Sequence, residues 1–279
     1  MSHPQHQEGL VPGTYSPRFQ KVFAWYARRL VAKRFHAVRM AHGGEALLQQ
    51  ASAHPGPLVF AFNHTSWWDP VIGLYLHDRV MRQREPLTPM DATQLAKFKF
   101  FRKLGMFGIH PDSPEAMRQL ERYVAGVFQR QPSSVLMVTP QGRFVDVRKP
   151  VVVQPGVGLV CSRNPTARVL VGALEYGFWT DQLPEVFIRV ADMPALPPVA
   201  DARAWTESIQ AAMQANGAAL ARMVEARDAA AFDTLVGGGQ ARIHPLYDLF
   251  LRMTGRSTAI QLDHRQQRAR NVATQEGQR

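Results

Sequence analysis

The chain has 279 residues, of which 46% are hydrophobic, so it can bury one large core without disulfides or structural metals. Its single cysteine, Cys161, excludes an intramolecular disulfide, and no stretch approaches the roughly 18 apolar residues of a membrane-spanning helix. The net charge of +11, from 33 basic and 22 acidic residues, favours phosphate-bearing or otherwise anionic partners. Because nothing at the N-terminus resembles a secretory signal, we expect a reducing, cytosolic setting.

The first forty residues combine a polar start with a basic helix. Residues 1–15 are rich in proline and glycine and are expected to be disordered. Residues 16–40 predict an amphipathic helix in which Lys21 and Arg28 project away from an apolar stripe. The stripe consists of Phe19, Val22, Phe23, Tyr26 and Leu30. Such a helix suits a membrane surface, and it is equally compatible with packing on its own domain.

Residues 41–198 alternate between apolar runs and helical segments. Predicted strands lie at residues 58–62, 104–110, 135–139, 168–174 and 186–190. Predicted helices follow Asp69, span residues 93–102, and begin near Pro114 to run to about residue 129. Strands alternating with helices predict an α/β domain with a central mixed, largely parallel sheet flanked by helices.

The C-terminal part predicts helix and then a tail. Residues 199–255 are expected to form a helical extension, since the alanine-rich stretch 203–235 favours a helix that ends near Gly237. Residues 256–279 are rich in glutamine and arginine and are expected to be a flexible tail.

A histidine and a carboxylate follow the apolar run at residues 58–62. Asp69 comes five residues after His64, a spacing that on a regular helix leaves the two side chains roughly 140° apart. They meet if His64 lies in the loop and Asp69 in the first turn of the next helix. The carboxylate would then fix the tautomer of a histidine that takes a proton from a hydroxyl.

A second polar cluster, residues 139–144, follows the apolar run at 135–138. Because open α/β sheets bind ligands beyond the carboxyl ends of their strands, both clusters are predicted to face one crevice. Arg143, Arg148 and Lys149 would give it a positive potential suited to phosphate oxygens. Taken alone, the cluster is also compatible with a tight turn that carries solvated basic residues.

The four residues Asn63, His64, Asp69 and Pro70, with this spacing, resemble the first motif of the lysophospholipid acyltransferase family, which includes the 1-acylglycerol-3-phosphate acyltransferases. Three later stretches are similar to the family's other motifs in order and spacing. These are residues 105–111, 139–144 and 151–158. The resemblance covers about residues 45–190 and implies an acyltransferase with the α/β fold expected above.

The resemblance also implies roles for individual residues. His64 would be the general base, Asp69 would orient it, and backbone N–H groups near the following helix start would be candidate oxyanion donors. The substrate-binding residues would be Asn63, Gln141, Gly142, Arg143 and Arg148. The acyl donor would be acyl-CoA or acyl carrier protein as a co-substrate, with no metal or prosthetic group.

Three positions depart from the family pattern. Gln141 stands where the family has glutamate, Arg143-Phe144 replaces its threonine-arginine pair, and Pro111 replaces an arginine. Since the family uses these positions to contact the acceptor and its phosphate, a non-phosphorylated sugar or lipid alcohol is a plausible alternative acceptor to a lysophospholipid.

Other classes of protein are less well supported by the sequence. A metal site is weak because no second histidine or cysteine lies at ligand spacing from His64. A pI near 10.4 would suit a nucleic-acid-binding protein, but no recognition motif accompanies it. A non-catalytic lipid-binding scaffold also remains an alternative. We therefore expect a peripheral acyltransferase at the cytoplasmic face of a membrane, with a lipid acceptor, an acyl thioester and an anionic membrane surface as partners.

Overall fold

The computed structural model describes residues 9–238, apart from residues 112, 114, 180, 195 and 198. The predicted tail at 256–279, the first eight residues and Pro114 therefore lie outside the described part. Eight strands of that part form one sheet. They are β1 (Ala37–Ala41), β2 (Leu58–Phe62), β3 (Glu85–Asp91), β4 (Met106–Ile109), β5 (Ser134–Val138), β6 (Arg168–Gly177), β7 (Glu185–Asp192) and β8 (Phe232–Gly237).

Seven α-helices connect or flank these strands. They are α1 (Pro17–Arg34), α2 (Gly44–Ser52), α3 (Asp69–Val80), α4 (Ala92–Lys97), α5 (Ala116–Arg130), α6 (Pro155–Arg163) and α7 (Ala202–Glu225). Local sequence explains where several of them begin. The side chains of Ser16, Asp91 and Asp201 cap α1, α4 and α7 by accepting a backbone N–H from the first turn. No helix among the described residues is long and apolar enough to cross a bilayer.

The sheet is mixed and largely parallel, as the sequence predicts. Its strand order is β4-β3-β5-β2-β6-β7-β1-β8. The five strands from β4 to β6 run in one direction, β7 and β1 run in the opposite direction, and β8 pairs antiparallel with β1. The parallel half therefore brings the carboxyl ends of five strands to one edge.

Two layers of helices cover the two faces of the sheet. Alternate residues of β2 point to opposite faces, so Phe60 packs with Ile72 of α3, while Val59 packs with Val124 of α5. Helices α1, α2 and α3 lie on the first face, and α5, α6 and α7 on the second. This explains why β2 and β5 are apolar throughout, because a strand covered on both faces needs no polar side.

The N-terminal segment differs from its prediction in two places. The helix expected over residues 16–40 ends at Arg34, and β1 then joins the sheet beside β7. Residues 9–15 are not disordered, since Val11 exchanges two backbone hydrogen bonds with Gly108, of 2.9 and 2.7 Å. Both features depend on partners far along the chain, which local composition does not reveal.

Of the helical extension predicted over residues 199–255, α7 is helical, residues 226–238 are not continued as an α-helix, and residues 239–255 lie outside the described part. Helix α7 ends at Glu225, and Phe232–Gly237 forms β8 on the edge of the sheet. The alanines at 229–231 favour a helix locally, but the segment that follows is held by pairing with β1. The helix predicted over residues 93–102 is also interrupted, because α4 ends at Lys97 and a 3₁₀ turn occupies Lys99–Leu104.

Candidate active site

His64 and Asp69 meet at the carboxyl end of β2, in the arrangement that their spacing requires. His64 lies in the loop after the strand, and Asp69 is the first residue of α3. The ring nitrogen Nδ1 of His64 lies 2.8 Å from Oδ2 of Asp69. Because a loop and not a helix joins the two residues, their side chains meet, which they would not do on an uninterrupted helix.

The carboxylate of Asp69 is fully buried and accepts four hydrogen bonds. Besides the His64 ring, the backbone N–H groups of Thr65 and Ser66 donate to Oδ2 over 2.7 and 2.9 Å. The hydroxyl of Tyr176 donates to Oδ1 over 2.6 Å. A buried carboxylate with this many donors is held rigidly, because its only alternative is an unpaired charge away from water.

This carboxylate decides which nitrogen of His64 is available for chemistry. A carboxylate only accepts hydrogen bonds, so Nδ1 carries the proton of the neutral ring and Nε2 carries the lone pair. The side chain of His64 is 20% exposed, whereas that of Asp69 is not exposed at all. The pair therefore consists of a partly exposed ring with one basic nitrogen, Nε2, and a buried carboxylate that fixes the other nitrogen.

The second polar cluster lies beside His64, as predicted from the ends of adjacent strands. Strands β2 and β5 are parallel neighbours, with Ala61 opposite Val138. The backbone N–H of His64 donates to Oε1 of Gln141 over 3.1 Å, and its carbonyl accepts from the N–H of Val145 over 2.7 Å. These two bonds fix the loop that carries the imidazole.

The turn that follows Gln141 depends on a glycine. Gly142 adopts a φ of 69°, a left-handed conformation that other residues rarely take. The turn brings Phe144 onto His64, with ring centroids 4.1 Å apart, and leaves Arg143 exposed to solvent. An aromatic ring, rather than a cation, therefore contacts the imidazole from this loop.

Asn63 and Arg148 have other partners than expected for substrate-binding residues. The side-chain amide of Asn63 bonds both the N–H and the carbonyl of Leu174 on β6, over 2.7 and 2.8 Å. This contact joins the start of the His64 loop to the neighbouring strand. Arg148 is 85% exposed and pairs with Asp146, whose pKa it holds well below the usual range. We find neither side chain directed at His64.

The predicted oxyanion donors are also engaged elsewhere. The N–H groups of Thr65 and Ser66, which follow His64, both donate to Asp69 and are not free to bind an oxyanion. In contrast, the hydroxyl oxygen of Thr65 is buried and has no hydrogen-bond partner among the described residues. The hydroxyl of Ser66 accepts from the N–H of Trp68 and so shapes the start of α3.

Tyr176 is the site residue that the sequence does not reveal. It lies near the end of β6, more than one hundred positions after Asp69 in the chain, and β6 is the parallel neighbour of β2. Burial, together with the nearby Asp69, raises the pKa of the tyrosine hydroxyl, so it remains a donor to that carboxylate. Its place in the site depends on strand order alone.

The remaining parts of the predicted motifs lie at different distances from the pair. The stretch before α6 is tied to the second cluster, because the N–H of Gln154 donates to the carbonyl of Pro140 over 2.8 Å. Pro111 follows β4, which lies three places from β2 in the sheet. Histidine, cysteine, aspartate and glutamate do not gather in groups of three within the described part of the chain.

Comparison with solved structures finds distant likenesses in fold. No protein-family model and no curated protein matches the sequence. The fold is similar to that of the 1-acyl-sn-glycerophosphate (LPA) acyltransferase PlsC from Thermotoga maritima, with a TM-score of 0.46 and 12% sequence identity. The match covers 75% of this chain and 80% of that chain. Its identity and TM-score are too low for it to carry a functional conclusion.

Proposed function

We propose that the protein is a lipid acyltransferase that moves a fatty acyl group from a thioester to the hydroxyl of a lipid alcohol. The donor would be acyl-CoA or acyl carrier protein. The observation that carries the proposal is the His64–Asp69 pair, in which a buried carboxylate lies 2.8 Å from Nδ1 of a partly exposed ring and leaves Nε2 with the lone pair. The motif resemblance around residues 63–70 supports the same reaction.

The proposed reaction is a direct transfer. Nε2 of His64 takes the proton of the acceptor hydroxyl, and the oxygen attacks the thioester carbonyl to give a tetrahedral intermediate. Collapse of that intermediate breaks the carbon–sulfur bond, and the leaving thiolate takes the proton from the imidazolium. Asp69 stabilises the imidazolium while it exists, as the carboxylate of a catalytic triad does. No covalent bond to the enzyme is needed.

The surrounding contacts supply the positioning that this reaction needs. Gln141 and Asn63 hold the start of the His64 loop, and Tyr176 donates to Oδ1 of Asp69, the oxygen that does not contact the imidazole. Each contact joins the loop after β2 to a neighbouring strand or its loop. A base fixed in this way loses little entropy when the acceptor binds.

The ring of Phe144 favours an acceptor that is uncharged next to its reacting hydroxyl. It packs against His64, so the surface beside the imidazole on this side is an apolar ring that donates no hydrogen bond to a phosphate. Arg148, a candidate phosphate contact, is paired with Asp146 instead. We therefore propose a neutral or glycosylated lipid alcohol as the preferred acceptor, with a lysophospholipid such as 1-acylglycerol-3-phosphate as the second candidate.

The proposal is tested by thiol release from an acyl thioester in the presence of different acceptors. The panel contains lysophosphatidic acid, a monoacylglycerol and a glycosylated lipid. We expect release that depends on the acceptor and falls about 10²–10⁴-fold in His64→Ala. Faster release with lysophosphatidic acid than with the neutral lipids would contradict the proposed acceptor class but not the reaction.

A second histidine–carboxylate pair gives a matched control. His42 lies 2.9 Å from Asp233, but its other ring nitrogen contacts the carbonyl of Ala230, so it has no free base. We expect His42→Ala to keep full activity. Equal thiol release by His64→Ala and the unchanged protein would overturn the catalytic role and favour a non-catalytic lipid-binding protein.

A further inference from the structure

The aromatic residues of α1 continue into a second segment that is distant in the sequence. Phe23 of α1 stacks with Phe19 at 6.0 Å and contacts Phe100 at 5.7 Å. Phe100 in turn contacts Phe101 at 4.3 Å, and Phe101 contacts Phe98 at 6.0 Å. The row of rings therefore runs from α1 to a second segment, residues 92–104, which comprises α4 and the 3₁₀ turn before β4.

Helix α1 packs on the domain mainly through a face other than its aromatic stripe. Its buried residues are Gln20, Ala24, Ala27 and Val31. Within the stripe, Phe19, Phe23 and Leu30 are half-buried, whereas Val22 is 67% exposed and Tyr26 is 50% exposed. The helix is therefore anchored by one face and leaves part of its apolar stripe in solvent. A contiguous apolar surface of this kind marks an interaction site.

Both segments are basic and lack acidic residues. Residues 17–34 and 92–104 contain no aspartate or glutamate. Their basic residues are Arg18, Lys21, Arg28, Arg29, Lys33 and Arg34 in the first range, and Lys97, Lys99, Arg102 and Lys103 in the second. Some of these cations lie directly over the rings: the Lys103 ammonium is 5.5 Å from the Phe19 ring centre, and the Arg29 guanidinium is 4.3 Å from that of Trp25.

We propose that these two segments together form a docking face for an anionic lipid bilayer. The docking face consists of Phe19, Lys21, Val22, Phe23, Trp25, Tyr26 and Arg29 from α1, and Lys97, Phe98, Lys99, Phe100 and Lys103 from the second segment. Its apolar side chains would enter the interface between headgroups and acyl chains. Its lysines and arginines, on long flexible stems, would reach the anionic headgroups.

A bilayer fits this face better than a nucleic acid does. Val22 and Phe98 are exposed apolar groups without any hydrogen-bonding capacity, and Phe98 is 47% exposed. A polyanion that stacks on rings such as Phe98 and pairs with cations would leave the aliphatic surface of Val22 in water. In a bilayer the same surface is buried, and the charges remain paired with headgroups.

The position of the docking face relates it to the His64 site. Helix α1 packs on α3 through the ion pair of Arg28 and Asp78, and at the C-terminal end of α1 the ring of Phe35 contacts Trp68, the residue before Asp69, with centroids 5.0 Å apart. Helix α4 follows the carboxyl end of β3, and the His64 loop follows the carboxyl end of β2, which runs in the same direction. A bound bilayer would supply lipid to the carboxyl ends of these strands, and in this respect the inference rests on the proposed function.

Flotation with vesicles tests the docking face in the full-length protein. The vesicles contain phosphatidylcholine alone, or phosphatidylcholine mixed with phosphatidylglycerol, over a salt series. We expect binding to the mixed vesicles that weakens as salt rises. Lys97→Gln with Lys99→Gln should weaken it by about fivefold for each lysine. Phe98→Ser with Phe100→Ser should weaken binding at all salt concentrations.

Matched changes elsewhere on the surface control for loss of charge and of exposed apolar groups. Arg118→Gln with Arg122→Gln removes two cations from α5, and Val199→Ser removes an exposed apolar residue. We expect these variants to float like the unchanged protein. Thermal melting of every variant separates loss of binding from loss of folding.

The outcomes separate the docking face from the catalytic proposal. Thiol release to a water-soluble alcohol should be unchanged in the Phe98 and Lys97 variants, because the His64 site is intact. Flotation that does not change in these variants would overturn the docking face, as would stronger binding to nucleic acid than to vesicles. Loss of catalysis in His64→Ala would leave flotation unchanged, so each proposal fails or stands by its own measurement.

Discussion

Two buried charges lie at opposite ends of the parallel half of the sheet, and the protein uses them differently. At the carboxyl end, the carboxylate of Asp69 accepts from two backbone N–H groups and two side chains, His64 and Tyr176. At the amino end, the guanidinium of Arg84 donates only to backbone carbonyls. These belong to Ala51, Ser52, His54, Gly56 and Ser134.

The two buried charges differ in the kind of group to which they hydrogen-bond. Arg84 is 1% exposed and joins three segments of backbone, so its charge is used entirely for structure. Burial lowers the pKa of its guanidinium without any carboxylate to compensate. Asp69 is equally buried, but one of its partners is a titratable ring that reaches solvent. A buried charge supports chemistry only where such a partner transmits its effect to a substrate.

The largest effect is expected for Asp69→Asn. The amide has no charge and one acceptor oxygen in place of two, where four donors converge, so His64 loses the carboxylate that fixes its tautomer and orientation. We expect thiol release to fall about 10³–10⁴-fold, as when the carboxylate of a catalytic triad is replaced by an amide. Steady-state kinetics with a saturating thioester measure the loss, and an active variant would show that the carboxylate is only structural.

Arg84→Met should reduce stability and leave activity unchanged, in contrast to Asp69→Asn. Loss of the guanidinium removes a donor from five backbone carbonyls, and we expect the free energy of unfolding to fall by about 3–5 kcal/mol. Thiol release per folded molecule should stay near that of the unchanged protein. Urea unfolding combined with kinetics at low temperature checks both statements.

The neighbouring Arg82 supplies the control for this change. It is exposed and pairs with Asp78 at 3.3 Å, so Arg82→Met should alter stability by about 1 kcal/mol or less. If Arg82→Met and Arg84→Met destabilise the protein equally, burial does not distinguish the two arginines.

A smaller effect is expected on the stability of the protein in acid, and it involves His77, which contacts Arg84. Burial lowers the pKa of His77 to about 4, even though its ring hydrogen-bonds the carbonyl of Arg84. The unfolded chain binds this proton near pH 6.5 and the folded protein does not, so stability should fall as the pH drops from 6.5 toward 4. The contribution of His77 is at most about 1.4 kcal/mol per pH unit.

Urea unfolding at several pH values measures this slope. His77→Gln removes the titrating group, so the slope between pH 6.5 and 4 should become shallower, whatever the variant's overall stability. Parallel curves for the two proteins would show that other groups cause the acid sensitivity.

The smallest effect is expected for Tyr176→Phe, beside Asp69. It removes one of the four hydrogen bonds to Asp69, which contributes about 0.5–1.5 kcal/mol, and activity should fall about two- to tenfold. The loss should appear in kcat and not in KM for the thioester, because the hydrogen bond positions the base and does not contact the donor. Steady-state kinetics of thiol release measure both, and full activity in Tyr176→Phe would show that this hydrogen bond does not support the reaction.

Hydrophobic pattern predicted most of the strands in the interior of the sheet but missed those that depend on distant partners. Strands β2 and β5 are short apolar runs that can be recognised in isolation. Strand β3 contains Pro86 and Pro89, which argue locally against a strand, although it lies between β4 and β5. Strands β1 and β8 pair with each other across almost the whole described chain.

The sequence by itself determined the chemical pair at the site, because His64 and Asp69 are close in the chain and the strand before them ends predictably. Tertiary structure alone decided what surrounds that pair. Because β6 lies beside β2, Tyr176 donates to Asp69 and Leu174 bonds Asn63, the residue before His64. Tertiary structure also decided which face of α1 is exposed. Periodicity shows that a helix has an apolar stripe, but whether the stripe is buried depends on the surface against which the helix packs, and here that surface accepts small residues instead.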